Sequence, residues 1–326
     1  MGRLFLRNVF DDPSIEVVAI NSRGSAAFYA HLLKYDSSYG IWNKEISISS
    51  DGHIVIDGTS IKLLNEKEDP STLPWKAMDI DVVIESTGVF KNREDSSLHL
   101  AAGAKRVVVT TSISDDDITL IAGVNLNQFD PAKHQIIAAA SCTSNCLVLT
   151  LTPLHKQLSI VHGYVTTVHA FTNEQHLVDA PHHKEDFRRA RAATESIIPT
   201  STGAAGTVEK IYPELTGKLS AMAMRVPIVL PSVISLTLEL KEKTTTEVIN
   251  DILRKASEGE MKKNLGFSGL PLVSVDYRGD THGAVVDGLS TEVVDGTLVN
   301  IVAWYDNEWG YINQLAQVVR HVGSAH

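Results

Sequence analysis

"DVVIEST" (residues 81–87) and "RVVVTT" (106–111) decide the fold class. Each is a short, nearly continuous apolar run rich in β-branched residues, and a helix-length stretch separates them. Strands that are apolar on both faces belong to parallel sheets covered by helices on both sides. Working outward, "IEVVAI" (15–20) and "ITLIAGV" (118–124) read as further buried strands, and "RLFLRNVF" (3–10) and "AAFYAHLLKY" (26–35) as helices. This alternation predicts a doubly wound, Rossmann-type α/β domain. Past residue 150 the texture changes. "GYVTTVHAF" (163–171), "SAMAMRVPIVLPSVISLTLEL" (220–240) and "VNIVAWY" (299–305) read as long alternating strands with few helices between them. "TTTEVINDILRKASEG" (244–259) is one clear helix, with threonine before the apolar period and Gly259 near its end. The second half therefore predicts an α+β domain with a mixed or mainly antiparallel sheet.

Bulk composition agrees with two soluble domains. The 326 residues exceed one comfortable core, and 43% hydrophobic with 21% charged residues is ordinary for a globular chain. Every apolar run is far shorter than the ~18 residues of a membrane span, and "MGRLFLRNVF" lacks the apolar core and cleavage site of a signal peptide. Two cysteines exclude a disulfide scaffold and fit a reducing, cytoplasmic setting. No CxxC or HxxxH spacing accompanies them, so no metal site is expected. A net charge of −10 opposes nucleic-acid binding. It leaves room for an anionic small molecule, which needs only local cations. Lys184, Arg188, Arg189 and Arg191 offer such a group, or simply a solvated helical face.

Both cysteines lie in "ASCTSNC" (140–146). Cys146, Leu147, Leu151, Leu154 and Leu158 follow near-helical spacing, although Pro153 leaves the start of the helix open. Ser141, Thr143 and Asn145 can all cap. A cysteine at a helix N-terminus faces free N–H groups and the positive end of the dipole, which favour the thiolate. Cys142 is thus a candidate nucleophile, or core filling, and Cys146 is expected in the core. His169, at the end of a β-rich run, is a candidate base, with His182 and His183 as rivals. The chain opens at "MGRL", so Gly2 fits only the last glycine of a dinucleotide loop.

Six landmarks in order carry a resemblance: "ASCTSNC", "TTVHAFTNEQ" (166–175), "RRARAATESIIPTSTGAAG" (188–206), "AMRVP" (223–227), "PLVSVDY" (271–277) and "AWYDNEWGY" (303–311). From Gly2 to about residue 318 the chain resembles the phosphorylating glyceraldehyde-3-phosphate dehydrogenases. The resemblance implies Cys142 as nucleophile and His169 as base. It implies a thiolate–imidazolium pair that forms a thiohemiacetal, passes hydride to NAD or NADP, and releases an acyl phosphate after attack by inorganic phosphate. It places Thr172 and Arg225 at the substrate phosphate, Ser141, Thr143, Thr202 and Gly203 at the attacking phosphate, and Arg189 as a further phosphate contact. It places Asn307 at the nicotinamide carboxamide and Tyr311 beside it. It also implies a cofactor domain of residues 1–141 and 306–326, a catalytic domain of 142–305, a place in glycolysis, and a homotetramer in which the loop 172–196 lies near a neighbour's cofactor.

The chain departs from the family at the adenosine side. Ser22 and Arg23 stand where an acidic residue normally binds the ribose hydroxyls, so NADP use is expected. Thr110 keeps a hydroxyl in "TTSIS" (110–114), which replaces a Ser-Ala-Pro pattern; Glu68 and Ala139 also differ. The first strand and most of the glycine loop would lie ahead of Met1, and the reading frame is expected to extend upstream. Two rival readings stand: erythrose-4-phosphate dehydrogenase, whose matching stretch lacks the threonine at Thr172, and a non-catalytic binding protein on the same scaffold.

Overall fold

A computed structural model describes residues 1–66 and 68–325. The chain divides into two compact units, one of residues 1–120, 127–139 and 315–326, the other of residues 121–126 and 140–314.

In the first unit, helix α1 (Gly2–Val9) precedes strand β1 (Ala19–Asn21), helix α2 (Ala26–Lys34) and a short hairpin of β2 (Tyr35–Asp36) and β3 (Gly40–Ile41). Then come β4 (Ile46–Ile48), β5 (Ile54–Ile56), β6 (Thr59–Leu64), β7 (Val82–Glu85), helix α3 (Arg93–Ala101), β8 (Arg106–Val109), β9 (Ile118–Thr119) and β10 (Ile136–Ala138). The expected parallel pairing holds for β1 with β6 and throughout the sheet β7-β8-β10-β9. Two expectations need correction. "IEVVAI" is strand only from Ala19 and "ITLIAGV" only over Ile118–Thr119. From β4 to β6 the chain runs antiparallel: a turn with Gly52 (φ 83°) joins β4 to β5, and Asp57 (φ 46°) and Gly58 (φ 85°), both left-handed, form the tight hairpin turn from β5 to β6. The Asp-Gly pair carries that signal in the sequence. The sheets β1-β6-β5-β4 and β7-β8-β10-β9 share no strand pairing among the described residues.

The second unit holds α4 (Cys142–His155), β11 (Ile160–Ala170), β12 (Ile198–Thr200), α5 (Ala204–Ile211), β13 (Leu219–Val226), β14 (Ser232–Leu240), α6 (Thr246–Glu258), β15 (Leu265–Ser268), β16 (Ala284–Val294) and β17 (Leu298–Tyr305). Helix α7 (Trp309–Ser324) begins there and ends in the first unit. The seven strands form one mixed sheet, ordered β12-β13-β11-β14-β17-β16-β15. The run 220–240 is two strands rather than one, broken around Pro227 and Pro231, which cannot donate to a ladder. Alternate residues of the central strands, Val165, Ile234, Leu236, Ile301 and Ala303 among them, face a single core. Helix α4 packs into that core and is buried from Thr143 to Leu154. Pro153 is accommodated near its C-terminal end.

Gly163 marks a crossing of this sheet where backbone meets backbone closely. A Cβ there would lie 2.6 Å from the Thr237 carbonyl oxygen and 2.7 Å from Leu238, whereas one at Gly206 in α5 would meet open space. Gly163→Ala should lower stability by about 1–3 kcal/mol. Gly206→Ala should raise it by about 0.5–1 kcal/mol. Urea midpoints of the two variants check the pair.

Candidate active site

The site begins with a turn. Ala140 takes φ 57°, an uncommon conformation for a residue with a Cβ, and its carbonyl accepts a hydrogen bond from the Tyr311 hydroxyl at 3.0 Å. The chain then enters α4 with Ser141 as N-cap, its Oγ accepting from Ser144 N at 3.1 Å. Cys142 is therefore the first helical residue, as a thiolate at the dipole would require. Cys146, one turn on, is fully buried in the core.

Register supplies the second half. In the parallel pair β11/β13, His169 lies opposite Arg225. His169 Nε2 lies 3.4 Å from Cys142 Sγ. Its Nδ1 lies 2.7 Å from the Ala170 carbonyl and 2.8 Å from Arg225 Nη1, which also donates to that carbonyl at 3.1 Å. One neighbour of Nδ1 only accepts and the other only donates, so they compete for the tautomer. A carbonyl that holds Nδ1–H turns the Nε2 lone pair toward sulfur.

Electrostatics follow from this packing. Burial, then the Arg225 charge, pushes the His169 imidazole down to about 3. Burial pushes the Cys142 thiol up, against smaller opposing pulls from Arg225, Thr143 and its own backbone N–H. Burial of both groups and the guanidinium against the ring oppose the charges of the thiolate–imidazolium pair that the resemblance implies.

Of the anion-binding candidates, Arg225 and Arg189 lie near one another. The Arg225 Nε is buried without a partner. Arg189 lies near enough for its charge to oppose that of Arg225; its Nη1 pairs with Asp186 at 2.8 Å and its Nε likewise lacks a hydrogen bond. Of the basic cluster, Arg189 alone turns inward. Lys184, Arg188 and Arg191 are exposed, and Arg191 pairs with Asp179. Thr172 N donates to Gln175 Oε1, and Thr202 Oγ1 accepts from Ala204 N at the start of α5. Gly203, the N-cap of α5, is exposed with open space at its Cβ position. The Arg225 Nε–H without a hydrogen-bond partner suits a phosphate, while the Arg189 guanidinium is shared among Asp186, the Ser201 carbonyl and Glu174, whose carboxylate lies 3.6 Å from its Nε. The rivals His182 and His183 lie on the same loop, and no bond joins either to Cys142 among the described contacts. No group of three metal-ligating side chains occurs among the described residues.

Asn307 and Tyr311 follow β17. Ser232 Oγ accepts from Ala170 N at 3.0 Å and donates to Asn307 Oδ1 at 2.9 Å. This fixes the rotation of the amide and leaves its NH2 as the end available to a ligand carbonyl, which suits a nicotinamide carboxamide. The Tyr311 hydroxyl, spent on Ala140, braces the turn. In the first unit, Gly2 opens α1, and a Cβ there would lie 2.9 Å from Ser86 Oγ. Ser22 follows β1 with its N–H on the Leu64 carbonyl, Arg23 is exposed, and Thr110 Oγ1 donates to the Glu85 carbonyl. A glycine at a helix start and an exposed arginine after a parallel strand suit a dinucleotide's phosphates.

The sequence reading missed Tyr305, Thr167 and Ser232. Strand alternation was the available signal: Thr167 is two residues before His169, and Tyr305 ends a strand whose odd residues are buried.

Comparison with known proteins places these units. Residues 1–93 match the family profile described as glyceraldehyde 3-phosphate dehydrogenase, NAD binding domain, and residues 141–307 the one described as its C-terminal domain. The glyceraldehyde-3-phosphate dehydrogenase of Geobacillus stearothermophilus is 46% identical over 99% of this chain and 96% of its own length. Glyceraldehyde-3-phosphate dehydrogenase 2 of Bacillus subtilis (strain 168) is 43% identical, over 99% and 94%. Glyceraldehyde-3-phosphate dehydrogenase 3 of Nostoc sp. (strain PCC 7120) is also 43% identical, over 99% and 95%.

A buried neutral histidine has a consequence for stability. The folded value lies below the ordinary 6.5, so unfolding takes up a proton in acid. The contribution is fully present above pH 6.5 and is lost as pH falls toward 3. Between pH 7 and pH 5 the protein should lose about 2 kcal/mol relative to His169→Gln, measured by urea denaturation at both pH values.

Proposed function

This chain belongs to the glyceraldehyde-3-phosphate dehydrogenase family, and on that premise we propose that Cys142 and His169 convert glyceraldehyde 3-phosphate and inorganic phosphate to 1,3-bisphosphoglycerate. The observation that carries the proposal is the 3.4 Å contact between Cys142 Sγ and His169 Nε2 at the start of α4. Sulfur attacks the aldehyde carbon while His169 Nε2 takes the thiol proton and passes it to the new oxyanion, giving a thiohemiacetal. The N–H groups of the first turn of α4 stabilise that oxygen as its charge develops. His169 then takes the hydroxyl proton as the C–H bond breaks, and a thioester remains on Cys142. The bound nicotinamide cofactor supplies the hydride acceptor for this step. An oxygen of inorganic phosphate attacks the thioester carbonyl, the C–S bond breaks, and Cys142 regains its proton from His169.

Arg225 and Thr172 hold the substrate phosphate; Ser141, Thr143, Thr202, Gly203 and Arg189 serve the attacking phosphate. An anion on Arg225 draws the guanidinium's donors from Nδ1, which leaves the Ala170 carbonyl to set the base-competent tautomer. Asn307 orients the nicotinamide, Tyr311 braces the turn before Cys142, and Gly2, Ser22, Arg23 and Thr110 serve the adenosine side. With no carboxylate at Ser22, a 2′-phosphate meets a hydroxyl and a cation, so NADP is accepted. The cofactor-binding domain that the resemblance implies, residues 1–141 and 306–326, overlaps the first compact unit, although residues 121–126, 140–141 and 306–314 fall in the second. Two free thiols suit a reducing cytoplasm, and no helix among the described residues is long and apolar enough to cross a membrane. Leu177, Val178, Phe187 and Ile197, all more than half exposed on one loop, support a homotetramer that covers them.

Steady-state assays test the reaction. Cys142→Ser should abolish turnover of glyceraldehyde 3-phosphate, and Arg225→Leu should raise its KM at least about 10-fold; a serine variant with native turnover would refute the mechanism. NADP should work with a KM within about 10-fold of that for NAD, and Ser22→Asp should restore NAD selectivity. Phe187→Asp should shift the tetramer to smaller species in light scattering.

A further inference from the structure

Three hydroxyls behind the reacting pair form a chain. Tyr305 Oη lies 2.9 Å from Thr143 Oγ1 and 2.8 Å from Thr167 Oγ1, and Thr167 Oγ1 donates to the Val233 carbonyl at 3.2 Å. All three side chains are buried. Thr143 is the neighbour of Cys142 in α4, and Thr167 precedes His169 by two residues on the same face of β11. The Tyr305 ring also packs edge-on to His169, with centroids 5.9 Å apart.

Counting protons fixes the sense of the chain. The Val233 oxygen only accepts, so Thr167 gives it its proton, Tyr305 donates to Thr167, and Thr143 donates to Tyr305. The Thr143 hydroxyl sits beside Cys142 at the start of α4, with no hydrogen bond to its sulfur among the described contacts, and its presence there favours the anion. Turning all three hydroxyls gives the opposite order: Thr167 donates to Tyr305, Tyr305 to Thr143, and Thr143 to sulfur. The two orders contain the same number of bonds. They differ by the 3.2 Å bond to Val233, which is exchanged for one to Cys142.

We propose that Tyr305 is a positioning residue whose hydroxyl ties the Cys142 turn to the His169 strand and, by reversing this chain, lets Thr143 donate to sulfur whenever sulfur is anionic. No proton leaves its oxygen; three O–H bonds rotate. Burial and the neighbouring sulfurs raise the phenol far above its ordinary range, so it stays a donor throughout. The inference rests on Cys142 and His169 being the reacting pair.

The other ionisable groups facing Cys142 are Cys146 of α4, His169 of β11, Arg225 of β13 and Tyr311 of α7, with Arg189 and Glu174 beyond Arg225. None is altered by Tyr305→Phe, which removes one oxygen and keeps the ring. The experiment alkylates Cys142 with the neutral reagent iodoacetamide across pH, read by mass spectrometry. Tyr305→Phe should raise the alkylation midpoint by about one pH unit. It should lower kcat about 10-fold and leave cofactor affinity, measured by fluorescence titration, unchanged. Thr167→Val should act in the same direction and also serves if the phenylalanine variant does not fold. The double variant should shift no further than the larger single shift. A native midpoint in a folded Tyr305→Phe or Thr167→Val variant, or additive shifts in the double variant, overturns the proposal. Cys142→Ser separates the two levels: if it keeps turnover, the reaction reading fails; if it is inactive while Tyr305→Phe keeps a native midpoint, only the relay fails.

Discussion

The catalytic unit depends on one register. Because β11 and β13 run parallel with His169 opposite Arg225, a guanidinium lies against an imidazole in a buried sheet face. Slipping that register by one residue would turn His169 away from α4 and break its contact with Cys142. The same pairing that builds the base also depresses its protonation, since like charges at this range in a dry site repel strongly. The structure therefore holds a proton acceptor next to the group that opposes its charging. Such an arrangement suits a base that carries a proton only while negative charge is present on the sulfur or on the substrate oxygen.

Much of the fold was legible because its signals are local. The parallel core strands β7, β8 and β10 announce themselves as β-branched apolar runs, and α6 by its cap, period and closing glycine. Misreadings came where pairing decides the outcome. Ile15–Val18 have strand composition, yet pairing with β6 begins only at Ala19. The antiparallel turn at Asp57–Gly58 was written in the sequence and outweighed by the expectation of alternating helices.

The site divides in the same way. Cys142 was legible because a capped helix start is a local pattern, and His169 as a histidine at a strand end. Neither the partner at Arg225 nor the hydroxyl chain could be read, because both arise where strands distant in sequence come into register. Tyr305 is 163 residues from Cys142 by their numbering and looks like the last core residue of an ordinary strand. Arg189 shows the converse. Composition offered four cations, and only the fold selects the one whose side chain is 13% exposed while its neighbours face solvent.

The departures from the family pattern expected on the adenosine side have a physical reason. At the reacting centre every group is held by at least one other: Ser141 caps the helix of Cys142, Tyr311 fixes the turn before it, Ser232 links the His169 strand to Asn307, and Tyr305 joins two threonines. Changing one member leaves buried partners unsatisfied, each a penalty of about 1–3 kcal/mol. Ser22 and Arg23 hold no such position: the first follows a three-residue strand, and the second is exposed. Substitution there leaves the buried contacts around Cys142 and the chemistry proposed for them untouched. On the proposed reading, the cofactor's distant end can change while the reacting centre stays fixed, because only the latter is tied into the core.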